Sequence, residues 1–220
     1  MYALLLVYTT LLSITTEILT FFARPVNTGM SDNLIILPLY DSEARIVPAW
    51  YDNLWHVYNC FHTHTLEWLS KRLLSENENW HRNHECLEHR LQLAPDSASS
   101  KRLHNMCVKI TESIEKVVDR PLSPIGTKLW LDLPGFQCPY HADSDMILVT
   151  YQVYLWGHGG GVPGTSFCQT PAIRQGQSPE IEIPFEPNTG YINLNIDQKV
   201  HHARNCDGIR LSVCFQWQAA

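Results

Sequence analysis

The chain has 220 residues, 45% of them apolar and 17% charged, and a formal net charge of −6. That length fits one domain or one domain with an appendage, and the composition excludes wholesale disorder. The acidic balance argues against a broad nucleic-acid-binding face, which needs clustered Lys and Arg. Seven scattered cysteines without a CxxC pair exclude a zinc ribbon and a thioredoxin motif. Free thiols in a reducing compartment, hence a cytoplasmic location, are the expectation.

Residues 1–29 form an apolar N-terminal segment in which Met1 to Ala23 carry one charge, Glu17. The stretch is long enough to span a bilayer. Thr9, Thr10, Ser13, Thr15, Thr16 and Glu17 lie near its middle, however, where a carboxylate costs ~2.5 kcal/mol or more. A tail or a mis-called start with Met30 as the functional beginning, a membrane anchor, and a signal peptide all stand as readings. The last lacks a positive n-region and a clear cleavage site.

Residues 30–125 read as a mainly helical support region. Trp50, Leu54, Val57, Tyr58, Phe61 and Thr65, then Trp68 and Leu69, recur at three- and four-residue steps. Glu78 or Asn79 opens a second predicted helix that runs through Leu93 and ends at Pro95. A third spans Lys101 to Val118, with Leu103, Cys107, Ile110, Ile114 and Val117 on one face, and Pro121 and Pro124 follow it.

In residues 126–220 the period changes to two. Ile147, Val149, Tyr151, Val153 and Leu155 alternate with Leu148, Thr150, Gln152 and Tyr154. Ile192, Leu194 and Ile196 alternate with Tyr191, Asn193 and Asn195, and Ile209 to Trp217 alternate with Arg210, Ser212, Cys214 and Gln216. A solvent-facing strand row is usually charged, whereas these rows carry hydroxyls, amides and one Arg. They predict walls of a polar cavity, with the aliphatic rows packed under helices. The fold class expected is α+β, a jelly-roll or cupin-like barrel braced by N-terminal helices.

Three anchors carry the chemistry. His141-Ala142-Asp143 places an imidazole and a carboxylate on one side of an extended strand. Val200-His201-His202 follows sixty residues later, and two histidines with one carboxylate form the facial triad for non-haem Fe(II). His201 and His202 point to opposite sides of a strand, and the spacing to Arg210 favours His201 as the ligand. Asp145 is a weaker rival to Asp143. Arg210, nine residues past His201, and Ser212 suit a carboxylate held inside a cavity.

These residues, with the strand Tyr151 to Leu155, the Gly164-Thr165-Ser166-Phe167 turn and Gly208-Ile209-Arg210-Leu211-Ser212, resemble the 2-oxoglutarate- and Fe(II)-dependent oxygenases, nearest the prolyl-hydroxylase-like branch. The resemblance covers residues 126–218. It implies a double-stranded β-helix and His141, Asp143 and His201 as iron ligands. It also implies Arg210 on the distal carboxylate of 2-oxoglutarate, with Tyr154 sharing it. The implied reaction is a hydroxylation that consumes O2 and the co-substrate and releases succinate and CO2. The expected substrate is a small molecule or a protein side chain. A cupin-like enzyme without 2-oxoglutarate leaves Arg210, Ser212 and Tyr154 unexplained, and a non-catalytic binding barrel leaves the intact triad unexplained.

Other signals are weaker. His84-Glu85 with His89 misses the zincin signature, which needs histidines four apart on a helix. His62 and His64 sit in a predicted helix, where residues two apart diverge. The Gly157 to Gly161 run lacks a Lys and reads as a loop at the pocket mouth. Trp130 and Asp132 share one strand face and are candidate substrate contacts.

Overall fold

The computed structural model describes residues 35–49, 52–75, 80–82, 89–159, 163–169, 181–196, 199–204 and 207–220. The apolar N-terminal segment, Cys86, Cys206 and the His84-Glu85 pair lie outside them. Among the described residues no helix is long and apolar enough to cross a membrane. The cysteines among them, Cys60, Cys107, Cys138, Cys168 and Cys214, are all free thiols.

The first strands are β1 (Ile35–Leu39), β2 (Ser42–Pro48) and β3 (Leu54–Tyr58), followed by helix α1 (Thr63–Ser75), β4 (Trp80–Arg82) and β5 (Arg90–Leu93). After helix α2 (Ala98–Val118) come β6 (Leu122–Asp132), β7 (Gln137–His141), β8 (Val149–His158) and β9 (Thr165–Gln169). The last are β10 (Ile181–Ile183), β11 (Thr189–Leu194), β12 (Lys199–Arg204) and β13 (Ile209–Ala219). They form a nine-stranded sheet, β1-β2-β3-β11-β8-β13-β6-β5-β4, and a four-stranded sheet, β10-β9-β12-β7, and the pairings are antiparallel. Two edge strands contain a proline, Pro38 in β1 and Pro139 in β7.

The helical reading of the first half is corrected here. Leu54 to Tyr58 is a strand between β2 and β11, bounded by left-handed Asn53 and Asn59 at φ 66 and 55°. Those two residues break the helix that the apolar spacing suggests. The predicted second helix is likewise replaced by β4 and β5, which extend the large sheet beyond β6. The support region therefore combines strands that widen the sheet with two helices that cover it.

α2 matches expectation over nearly its whole length. The Ser97 side chain caps it by accepting from the Ser100 N–H at 3.1 Å, and Asp119 ends it in the left-handed region at φ 51°. Leu103, Cys107, Ile110 and Ile114 face inward and join Leu129, Val153, Leu211 and Val213 in one core, which also holds Leu66, Leu69 and Leu73 of α1. The Trp217 indole N–H donates to Thr111 Oγ1 at 2.9 Å, tying β13 to α2.

Cross-strand pairing puts the predicted polar rows on the opposite face, because directly opposed residues point the same way. Trp130, Ser212, Tyr154 and Thr189 form one row, and Cys214, Gln152 and Tyr191 form the next. This face meets the small sheet: the Tyr154 hydroxyl donates to Thr165 Oγ1 at 2.8 Å, and the Phe167 and Tyr191 rings pack edge-on at 4.9 Å.

Gly190 lies on β11 where the backbone of β8 leaves no room for a side chain. A Cβ there would lie 2.0 Å from the Gln152 carbonyl oxygen, a backbone atom with nowhere to go. Gly190→Ala is therefore expected to destabilise by about 3 kcal/mol, the upper end of ordinary overpacking, read as a lower denaturant midpoint at unchanged slope.

Candidate metal centre

His141 ends β7 and His201 lies on β12, directly opposite it, with ring centroids 4.3 Å apart. Asp143 follows two residues past His141, beyond the end of the strand. One ligand atom from each of the three lies within 4.8 Å of the others, and His201 Nε2 is 4.0 Å from Asp143 Oδ1. His202 points away, buried, with its ring 4.1 Å from that of Tyr140. Asp145 is exposed and stays outside the cluster.

The two imidazoles are set differently. His141 Nδ1 lies 2.9 Å from the Pro139 carbonyl oxygen, which can only accept, so Nδ1 carries the proton and Nε2 is the ligand atom. The bond to Cys138, opposed by burial and helped by the Pro139 carbonyl and the Asp143 charge, pushes the His141 pKa up to about 9. Burial pulls that of His201 down to about 4, partly offset by Asp143. His201 is thus held neutral at pH 7, while His141 must give up a proton to become a ligand.

Asp143 is anchored at one oxygen. Its Oδ2 accepts from Thr150 Oγ1 at 2.8 Å and from Asn195 Nδ2 at 3.1 Å. Asn195 Nδ2 also reaches the Ile147 carbonyl at 2.9 Å, and Asn193 donates to the Asn195 side-chain oxygen. Oδ1, the oxygen toward His201, is left to a ligand. Two imidazoles and one carboxylate oxygen are the donor set suited to non-haem Fe(II), and its polar supports hold the carboxylate in one orientation.

The triad opens on a cavity walled by Thr150, Gln152, Tyr191, Cys214 and Gln216 from the polar rows, with Arg90, Trp130 and Arg210. Tyr191 donates its hydroxyl to Gln152 Oε1 at 2.8 Å, and Gln152 Nε2 donates to Ser212 Oγ at 3.3 Å. Burial pushes the Tyr154 hydroxyl up to about 12, so it stays protonated on Thr165.

Arg210 is fully buried. Its Nε and Nη2 donate to Asp132 Oδ2 at 2.9 and 2.7 Å, and its Nη1 to the carbonyls of Pro163 and Gly164, both at 3.2 Å. Asp132 is equally buried and also accepts from Arg90 Nε at 2.5 Å and Nη2 at 3.1 Å. Read from the sequence as a substrate contact, Asp132 instead has both oxygens turned onto guanidiniums. Burial would raise its pKa, but Arg90 and then Arg210 hold the carboxyl below the usual range. Trp130 lines the cavity with its ring against Arg90, 4.3 Å from ring centroid to Cζ. Sequence reasoning missed Arg90; the alternation Arg90-Leu91-Gln92-Leu93 was its available signal.

No family model and no curated protein matches the chain. Solved structures do. The non-heme alpha ketoglutarate dependent epimerase SnoN from nogalamycin biosynthesis superposes with a TM-score of 0.59 at 18% identity, over 77% of this chain and 78% of SnoN. A Pseudomonas putida prolyl-4-hydroxylase gives 0.57 at 13%, over 76% and 93% of the two chains. The chain has the fold of the 2-oxoglutarate-dependent oxygenases. HygX from Streptomyces hygroscopicus, solved with nickel and 2-oxoglutarate bound, shares this oxygenase fold at a TM-score of 0.57 and 14% identity, over 76% and 83%.

Proposed function

We propose that the protein is an Fe(II)- and 2-oxoglutarate-dependent dioxygenase that hydroxylates a substrate with release of succinate and CO2. The observation that carries this reading is the His141-Asp143-His201 cluster, opening on a polar cavity that holds buried guanidiniums. The core from β6 to β13, whose strands are shared between the two sheets, is read as a double-stranded β-helix.

His141 Nε2, Asp143 Oδ1 and His201 would hold the iron. Arg210, Ser212 and Tyr154 are assigned to the distal end of the co-substrate, where a buried positive charge and hydroxyls match a carboxylate. Iron and 2-oxoglutarate, when bound, supply the oxidising chemistry with O2. The chain positions both, keeps Asp143 to one ligating oxygen through Thr150 and Asn195, and walls off bulk water with Tyr191, Gln152 and Trp130. The prolyl-hydroxylase-like pattern of the motifs supports reading the oxidation as a hydroxylation. A small molecule or a protein side chain is the substrate class, and the net charge of −6 disfavours nucleic acid.

The test is an anaerobic titration of the full chain with Fe(II) and then 2-oxoglutarate, watching for the visible metal-to-ligand charge-transfer band. The band requires iron and a chelating 2-oxo acid in one site, and its appearance is expected. Iron binding without a band would replace this reading with a cupin-like metal enzyme, and binding of neither with a non-catalytic barrel.

A further inference from the structure

Arg90, Asp132 and Arg210 stand directly opposite one another on β5, β6 and β13 and form one buried row of charges, of which Arg90 and Arg210 line the cavity. Two guanidiniums share one carboxylate. Four of the five Arg210 N–H groups are spent, two on Asp132 and two on backbone carbonyls, which leaves one on Nη2. Arg90 has more to offer. It spends Nε and Nη2 on Asp132, and its Nη1 has no acceptor among the described residues, although its side chain is only 8% exposed and lines the cavity. The guanidinium lies against the rings of Trp130 and Phe136, at 4.3 and 4.1 Å from Cζ to centroid, which fixes its plane. The indole N–H of Trp130 is also buried without a partner. Two donors without acceptors at one wall of a cavity mark a place for an acceptor-bearing ligand.

The charges agree. Asp132 and Asp143 cancel Arg90 and Arg210, so with neutral imidazoles a divalent iron leaves two positive charges in the pocket. A dianion neutralises them; without Arg90 one negative charge would stay uncompensated in a desolvated site.

We infer that Arg90 is a second anion anchor of the co-substrate pocket, taking the distal carboxylate of 2-oxoglutarate on its Nη1 edge while Asp132 holds it in register with Arg210. The inference rests on the oxygenase reading above. It adds Arg90 to Arg210 at the distal end, with Asp132 setting the register of both guanidiniums.

Arg90→Gln leaves Asp132 and Arg210 as a balanced pair, so the variant is expected to fold, as a thermal melt will show. With Fe(II) under anaerobic conditions, the charge-transfer band is titrated with 2-oxoglutarate and with 2-oxobutyrate, which has the same chelating end and no distal carboxylate. Arg90→Gln is expected to raise the half-saturating 2-oxoglutarate concentration at least about tenfold, the loss of one charge-assisted bond, and to leave 2-oxobutyrate unchanged. Arg90→Lys is expected to recover part of the loss. An unchanged 2-oxoglutarate midpoint overturns the inference, as does equal weakening of both acids, which is what lost packing alone would give. A wild-type chain that forms no band overturns the oxygenase reading instead. Arg90 is then judged by succinate protection of the iron-free chain against melting: protection that Arg90→Gln abolishes upholds the anion anchor, and its absence in the wild type removes it.

Discussion

Asp143→Ala is expected to abolish Fe(II) binding while leaving the fold intact. Asp143 is the only anionic donor of the triad and lies past the end of β7, held to the rest of the fold by the bonds of its Oδ2 to Thr150 and Asn195. A site reduced to two imidazoles loses both a ligand and the charge that offsets the cation. Calorimetric titration with Fe(II) or Mn(II) reads the loss, and an unchanged melting temperature separates it from unfolding. Asn195→Ala provides the graded comparison. It removes one of two donors to Asp143 Oδ2, so metal affinity should fall about 10- to 100-fold rather than vanish. Full metal affinity in Asp143→Ala would remove the triad from the metal site.

Asp132→Ala is expected to be the most damaging substitution to stability. It leaves two guanidiniums buried without their shared counter-charge, and stripping one partner from a buried ion pair costs about 3–5 kcal/mol. For a chain of this size that is a fall in melting temperature of order ten degrees. Double substitution with Arg90→Gln should recover part of the loss, because one buried charge fewer is then uncompensated. The same cluster gives an acid dependence. The Asp132 carboxyl titrates lower folded than unfolded, so its stabilisation is complete above the unfolded value of about 3.9. It is lost as pH falls through the lower folded value. Acid unfolding curves of wild type and Asp132→Asn should therefore converge at the lowest pH. A wild-type chain that is no more stable than Asp132→Asn at neutral pH would show that the cluster does not stabilise the fold.

The cavity-bearing half was legible because its strands keep a strict period of two. Thr150, Gln152, Tyr191, Asn193, Cys214 and Gln216 could be assigned to one face before any pairing was known, and registry then aligns them. α2 was legible from its apolar stripe and the prolines that follow it. The first half was not, because Leu54, Val57, Tyr58 and Phe61 satisfy a helical step equally well. What decides against the helix is the pairing of β3 with β2 and β11, a tertiary fact, although Asn53 and Asn59 bracket a run of β-forming residues. Arg90 stayed hidden for a related reason. Its significance comes from a strand added beside β6, and a four-residue strand carries little periodicity of its own.

The prolines of β1 and β7 bear on how copies of this chain meet one another. A sheet edge is a template on which a second molecule can add a strand, and long uninterrupted edges drive aggregation. Pro38 removes a ladder donor from β1, the outermost described strand at that side of the large sheet. Pro139 does so at one edge of the small sheet, within a segment of irregular register against β12. An incoming strand finds a broken ladder at both places, so among the described strands these two borders resist the sheet-to-sheet growth to which extended sheet edges are otherwise open.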